Sequence, residues 1–344
     1  MSGFDASVLN SPDTRLLVMA PNWLGDGIMV MPALQHLRAS LHPQARLEVA
    51  ARPNQMGLWR MHASPESVIE VQGNTASLPA DARDLRRRAY THAILIPNSF
   101  RSAIAPALAG IPNRRGTAGQ LRRILINAPV TLSTLAARHQ QWENAALLLP
   151  GDLPSELPPP KLSPPETARQ TAADLLTAPA PRLGLIPGAA RGPSKRWPGA
   201  HFQSVARAWL AHTGGSVHWL GTPEDAQICQ ALSAPLPAGA SFNHAGKTSL
   251  NVFTALLESL DVVVANDSGG MHLAAAVGTR VVAVFGLTNP EKTGPLHPEA
   301  VVIRAAAVGD RRIARNSDAA QKALASVSPD RVIEPVLANF GPGA

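Results

Sequence analysis

Short apolar runs punctuate the chain, and between several of them apolar positions return with helical spacing. Arg15–Ala20, Ala45–Ala50, Ser67–Val71 and His92–Pro97 read as buried strands. Met31, Leu34 and Leu37 mark one face of a helix after the first of these. The same alternation resumes with Arg182–Ile186, Ser216–Leu220, Asp261–Ala265 and Thr279–Phe285. Strands alternating with helices predict parallel α/β sheets. Between the two sets lies Pro150–Pro165, whose prolines at 150, 154, 158, 159, 160, 164 and 165 forbid a regular helix or a central strand. The pattern therefore predicts two Rossmann-like α/β domains facing each other across a cleft, joined by a stiff connector. Ser326–Phe340 predicts a terminal helix that Pro335 should bend or interrupt. No internal repeat is strong enough to use.

Length and composition agree with this picture. A chain of 344 residues fits two domains. Its 45% hydrophobic content supplies cores, and 16% charged residues are too few for a disordered chain. The 31 basic and 24 acidic residues leave a net charge of +7, which suits an anionic ligand or an acidic membrane surface. Nucleic acid is the weaker partner, because aromatics are only 4% and no zinc-finger spacing or basic stacking helix occurs. Cys229 is the only cysteine, so no intramolecular disulfide can form, and a reducing compartment is expected. Met1–Pro12 lacks the basic start and apolar core of a signal peptide, and no apolar run approaches a membrane span. The expectation is a soluble cytoplasmic protein.

Candidate chemistry collects where predicted strands end, the edge at which open α/β sheets bind ligands. Asp261–Gly278 reads as strand, polar turn (Asn266–Gly270) and small-residue helix (Met271–Val277). A helix start offers unpaired N–H groups and partial positive charge to a phosphate, with Ser268 as N-cap and Gly269 and Gly270 permitting close approach. Asp267 would serve donor hydroxyls better than a phosphate, its alternative being a helix cap. His272, one turn in, reads alone as structural.

Leu185–Pro198 is a strand followed by a glycine-bearing loop with the cations Arg191, Lys195 and Arg196. Lys195 or Arg196 could hold a diphosphate; the plain alternative is a solvated basic loop, and Trp197 reads as packing. In Pro21–Leu34, Asp26 lies between Gly25 and Gly27 at a helix start, where it can take a proton from an acceptor hydroxyl or simply stabilise that helix. Gly25 and Gly27 begin a dinucleotide fingerprint that Val30 leaves incomplete. Ile96–Ala103, with Arg101, is followed by Arg114, Arg115, Arg122 and Arg123, cations that could meet a phosphorylated acceptor or form an exposed charged face. The histidines show no metal-ligand spacing, and no Walker or nucleophile-elbow pattern occurs, so no metal is expected.

Three blocks, Pro21–Asp26, Gly188–Pro198 and Asn266–His272, in this order and at these intervals, resemble the lipopolysaccharide heptosyltransferases of glycosyltransferase family 9. The resemblance runs from about Arg15 to Asn339, and Leu95–Ala103 is similar to the type II branch. It implies a GT-B fold: an acceptor-binding domain over 1–160, an ADP-sugar-binding domain over 161–325, and a helix over 326–344 crossing back to the first domain. It implies inverting transfer of L-glycero-D-manno-heptose from ADP-heptose to the first heptose of the lipopolysaccharide inner core. Asp26 would be the general base. Lys195, Asp267, Ser268, Gly269, Gly270, Met271 and His272 would bind the donor, with Gly221 and Leu250 near its adenosine. Asn22, Trp23, Asn98, Ser99, Arg101 and Arg122 would meet the acceptor.

ADP-heptose would be consumed as donor, with no further cofactor. A monomer in peripheral contact with the inner face of the inner membrane is expected. Some positions depart from the family. Gly270 stands where members often carry a larger apolar residue, Ala305–Ala325 has no cysteine cluster, and Thr117–Arg123 lacks aromatics. The alternatives are another family 9 transferase with a different acceptor or donor, a nucleotide-binding regulator without turnover, and, least, a Rossmann dehydrogenase.

Overall fold

A computed structural model describes residues 4–5, 7–119, 121–190, 192–306, 317–341 and 343. It divides into two compact units, Met1–Ser163 and Pro164–Ala344.

The first unit holds β1 (Arg15–Met19), β2 (Arg46–Ala51), β3 (Ser67–Glu70), β4 (His92–Leu95), β5 (Asn113–Gly116) and β6 (Ala128–Pro129). These form one sheet in the order β3-β2-β1-β4-β5-β6, with every pairing parallel. The second unit holds β7 (Arg182–Ile186), β8 (Ser216–Trp219), β9 (Ser241–Asn243), β10 (Val262–Asn266), β11 (Arg280–Phe285) and β12 (Val301–Arg304). Its order is β12-β11-β10-β7-β8-β9, again all parallel. Counted from the first strand of each unit, both sheets follow the Rossmann order 3-2-1-4-5-6. The repeat that the sequence does not reveal is thus present in the architecture.

Helices cover the sheets, so central strands are apolar throughout rather than alternating. All residues of β8 and β10 are buried, as are Leu16–Met19 of β1. Leu17, Leu95, Ala93 and Ile111 belong to a core in the first unit, and Leu185, Trp209, Trp219, Val264 and Phe202 to one in the second.

Polar and short strands escaped the sequence pattern. β5 reads Asn-Arg-Arg-Gly and β6 has two residues. Arg114 and Arg115, considered as phosphate-binding cations, are instead tied to backbone. Arg114 Nε donates to Leu125 O at 2.7 Å, and Arg115 Nε and Nη2 donate to Leu147 O and Ala146 O at 2.9 Å each. Arg115 thereby satisfies carbonyls that the helix Gln140–Leu148 leaves open at its C-terminus.

The proline connector is pinned rather than free. Gln35 donates to Pro159 O and accepts from Lys161 N, each at 3.0 Å, and Ser163 N donates to Met61 O at 2.9 Å. The terminal helix is shorter than its sequence pattern, Asp330–Leu337, and it continues through Pro335. Val332 and Val336 join the core of the second unit, and the Phe340 ring meets Trp209 edge-on at 4.7 Å. Val332, Val336 and Phe340 thus pack within the second unit. No helix among the described residues is long and apolar enough to cross a membrane.

Candidate active site

Strand register decides which loops start side by side. In the first sheet Met19 of β1 pairs with Leu95 of β4, and in the second Ile186 of β7 pairs with Ala265 of β10. These are the positions where strand order reverses, so each unit has a crevice between the two loops that leave its central strands.

In the second unit the loops after β7 and β10 are bolted together by Asn266. This fully buried side chain accepts from Trp197 N at 2.9 Å and donates to Pro187 O at 2.8 Å. One residue on, Asp267 turns its Oδ2 to Lys195 Nζ at 2.5 Å and to Thr288 Oγ1 at 2.5 Å. The structure thus brings Lys195 and Asp267 into contact and adds Thr288, from the loop after β11. Asp267 is not a helix cap; its carboxylate is engaged with Lys195 and Thr288. Arg196 is held by Ala189 O at 3.3 Å and lies 3.7 Å from Asp225, while Trp197 is buried with Nε1 on Val327 O. Arg191 lies outside the described residues.

The helix after β10 is Gly269–Ala276, with Ser268 at the N-cap position in extended conformation. Its hydroxyl makes no cap bond and, among the described residues, is buried without a partner. The first N–H groups of this helix are therefore not satisfied by the cap side chain that the sequence suggested. Gly270 serves internal packing: a Cβ there would lie 2.8 Å from Ile186 Cδ1. Met271 and His272 are buried.

Gly221 and the 246–250 segment also meet, because Gly246 N donates to Gly221 O at 3.1 Å. Leu250 begins a helix capped by the Ser249 side chain. Between the loops after β7 and β8 sits the buried Asp225, accepting from Thr222 N and Oγ1. A Cβ on Gly188 would fall 2.3 Å from its carboxylate, so only glycine fits there.

In the first unit Asp26 lies in the first turn of the helix Leu24–Ser40, half-buried, where a carboxylate is favoured by the helix dipole. Trp23 is the N-cap residue and 55% exposed, and Asn22 beside it is exposed. Gly27 is explained by packing rather than by a dinucleotide: a Cβ would press on Leu58 at 2.9 Å.

A small pocket of about 50 Å³ opens at the ends of β1 to β4, bringing together Asn22, Arg52, Asp81, Ser99 and Arg101. Ser99 caps the helix Phe100–Leu108 by accepting from Ser102 N, and Asn98 is exposed just before it. Arg122, expected on the acceptor, is instead fully buried, with Nη1 on Thr117 Oγ1 at 3.2 Å. Burial lowers its pKa. Among the described residues its Nε and Nη2 have no partner. Sequence reasoning passed over Arg52 and Thr288, although each follows the end of a predicted strand and the same rule would have found them.

Among the described residues no group of three or more His, Cys, Asp or Glu could hold a metal ion.

Each unit thus carries a six-stranded parallel sheet in Rossmann order, as the GT-B fold does, and the second places a Lys–Asp contact beside a helix start that no side chain caps. A model described as glycosyltransferase family 9 (heptosyltransferase) matches residues 80–323. Lipopolysaccharide heptosyltransferase 2 of Escherichia coli strain K12 is 33% identical, over 93% of this chain and 97% of its own. Lipooligosaccharide heptosyltransferase 2 of Haemophilus ducreyi is 31% identical over the same shares, 93% and 97%. The solved structure of E. coli ADP-heptose LPS heptosyltransferase II matches with a TM-score of 0.83 at 30% identity, covering 94% of this chain and 98% of that one. The chain belongs to glycosyltransferase family 9, the heptosyltransferases.

Proposed function

We propose that this chain transfers heptose from ADP-heptose to the first heptose of the lipopolysaccharide inner core, with inversion at the anomeric carbon. The observation that carries the reading is the contact of Lys195 with Asp267 beside the open start of the helix Gly269–Ala276. Such a site suits a diphosphate joined to a polyhydroxyl sugar. The similarity to lipopolysaccharide heptosyltransferase 2 over 93% of the chain supports the choice of sugar and acceptor.

In this reading the donor diphosphate lies against Lys195 and the N–H groups of Gly269, Gly270 and Met271, and Asp267 orients donor hydroxyls. The adenosine rests near Gly221 and Leu250. Asp26 accepts the proton of the acceptor hydroxyl while that oxygen bonds to the anomeric carbon. The bond from that carbon to the phosphate oxygen breaks, and ADP leaves with the electron pair. Lys195 and the helix start stabilise the charge that develops on it. ADP-heptose is consumed as donor, and no bound cofactor enters the scheme.

The test is a transfer assay with ADP-heptose and a core acceptor ending in its first heptose. Asp26→Asn should lower kcat by about 10²- to 10⁴-fold and leave ADP affinity unchanged. Turnover close to that of the native protein in this variant would remove Asp26 as the base, and failure of the native protein to release ADP with heptose transfer would remove the reading itself.

Peripheral contact with a membrane is part of the proposal, since a lipid-anchored acceptor is presented at a bilayer surface. It is supported by Leu121 and Ile124, 86% and 80% exposed, on either side of Arg122 and Arg123.

A further inference from the structure

We infer that Thr288 is a positioning residue of the reaction: it holds the Asp267 carboxylate in place, so that Lys195 can turn its ammonium to a diphosphate without releasing that carboxylate. The inference rests on the reading of Asp267 as the group that orients hydroxyls of the ADP-sugar. Thr288 stands in the loop after β11, three residues beyond Phe285. The end of that strand runs beside Asp267, whose N–H donates to Val284 O at 3.3 Å. The loop is fixed by its own contacts. Asn289 accepts from Glu291 N at 3.0 Å, Pro290 is buried, and Gly294 N donates to Pro290 O at 2.7 Å. None of these bonds uses the Thr288 hydroxyl, so the loop presents that hydroxyl without depending on it.

Lys195 Nζ and Thr288 Oγ1 both donate to the same oxygen of Asp267, Oδ2, at 2.5 Å each. Neither bond takes Oδ1, so in this reading a sugar hydroxyl donates to Oδ1. The Asp267 side chain is only 10% exposed, and that of Lys195 21%. A carboxylate so far from water depends on the groups that donate to it, and losing one is costly. Lys195 carries three N–H groups and one charge, and a diphosphate draws that charge towards itself. Were Lys195 the only tie, the bound diphosphate would compete with Asp267 for it, and the two anions would repel each other. The Thr288 hydroxyl is neutral and has a single hydrogen, already given to the carboxylate. Its hold on Oδ2 therefore persists as the ammonium turns to the diphosphate. Lys195 serves the phosphates, and Thr288 keeps Oδ1 directed at the sugar.

The test uses the full chain with Thr288→Val, which replaces the hydroxyl by a methyl of similar size, and Thr288→Ser, which keeps it. ADP and ADP-heptose affinities are measured by calorimetry without acceptor, and transfer is measured on the core acceptor. Thr288→Val should lower kcat/KM for ADP-heptose about ten- to a hundredfold and weaken ADP-heptose binding about tenfold, with ADP affinity unchanged. Thr288→Ser should recover most of that loss. In an Asp267→Ala background, adding Thr288→Val should change ADP-heptose binding no further, because the group that Thr288 positions is gone. A loop merely loosened by the substitution would weaken ADP as much as ADP-heptose and lower the urea midpoint, and that result overturns the assignment. So does an ADP-heptose affinity unchanged in Thr288→Val, or a loss of equal size in the Asp267→Ala background. If Thr288→Val weakens ADP-heptose but not ADP while the native protein transfers no heptose, the functional reading fails and the positioning role stands.

Discussion

At the scale of single residues, two glycines in the second unit look alike in sequence and differ in what surrounds them. A Cβ on Gly270 would meet the far end of Ile186, a side chain that can turn aside. On Gly188 it would strike all three carboxylate atoms of Asp225, 2.3 to 2.4 Å away, and Asp225 is fixed by Thr222. Overpacking of this kind costs about 1–3 kcal/mol, and the fixed neighbour belongs at the upper end. Gly270→Ala should therefore cost about 1 kcal/mol in urea unfolding and Gly188→Ala about 3 kcal/mol; equal losses would show that Asp225 yields as easily as Ile186. Lys195 poses a different question, because it already has a partner in Asp267. If a diphosphate shares that ammonium, Lys195→Ala should weaken ADP binding about ten- to a hundredfold in calorimetry. An unchanged affinity would leave Lys195 with only the structural task of holding Asp267.

At the scale of elements, β8 and the loop after β9 are joined by a chain of buried histidines. Ser216 Oγ donates to Pro179 O at 2.8 Å, so it must accept from His218 Nε2 at 3.0 Å. His218 Nδ1 is then an acceptor, and His244 Nε2 donates to it at 3.0 Å. Every proton in this chain is assigned with both rings neutral, and a proton added to His218 Nδ1 would face the N–H of His244. Burial, and then the neighbouring His244 and Arg182, push His218 down to about 3; burial and Lys247 push His244 down to about 4. Unfolded, both would titrate near 6.5. The unfolded state therefore binds more protons below that pH, and stability present above 6.5 is lost as pH falls towards 4. The slope is about 1.4 kcal/mol per pH unit for each ring. Urea unfolding between pH 7.5 and 5 should show this acid limb together with that of His62, which burial also pushes down to about 4. His244→Gln, which keeps a donor for His218, should flatten it by about a third, and a limb unchanged in that variant would place the lability elsewhere. How much was legible in sequence divides along the same lines. β1, β4, β7 and β10 were plain because buried parallel strands are continuous apolar runs, and the segments holding Asp26, Lys195 and Asp267 come after those runs. β5 was illegible because Arg114 and Arg115 leave the sheet to bind helix-end and loop carbonyls, which a hydrophobicity pattern scores as surface. Arg122 misled for the opposite reason: charge suggested exposure, and the fold buries it. The Lys195–Asp267–Thr288 contact joins three loops distant in sequence, so only the sheet order could bring it to light.

At the scale of the whole molecule, charge is not evenly shared. Residues 1–163 carry 16 of the 31 basic side chains and 11 of the 24 acidic ones, a net charge of +5, against +2 for the remainder. Leu108, Leu121 and Ile124, each more than half exposed, also belong to this first unit. Leu121 and Ile124 flank Arg123, which is exposed, so two apolar side chains and a cation share one short surface segment. If the proposed membrane contact uses this segment, two terms contribute to it. Partial burial of the apolar side chains gives at most about 1.5–3 kcal/mol each, and a basic side chain near an anionic surface gives about 1 kcal/mol. On the proposed function the sum predicts a weak, reversible association, adequate for meeting a lipid-anchored acceptor without holding the protein there. Sedimentation with vesicles should find the protein bound when the lipid is partly anionic and largely free when it is zwitterionic, with binding reduced as salt rises from about 0.1 to 0.5 M because the charges are then screened. Replacing Leu121 and Ile124 by Ser, at positions too exposed to matter for the core, should weaken vesicle binding about tenfold or more while leaving the unfolding midpoint in place. Transfer to a soluble, deacylated acceptor should be unaffected by the same double change, since in that assay no bilayer intervenes. Loss of activity on the soluble acceptor would mean that these side chains meet the sugar rather than the membrane, and vesicle binding indifferent to both lipid charge and the substitutions would remove the surface from consideration.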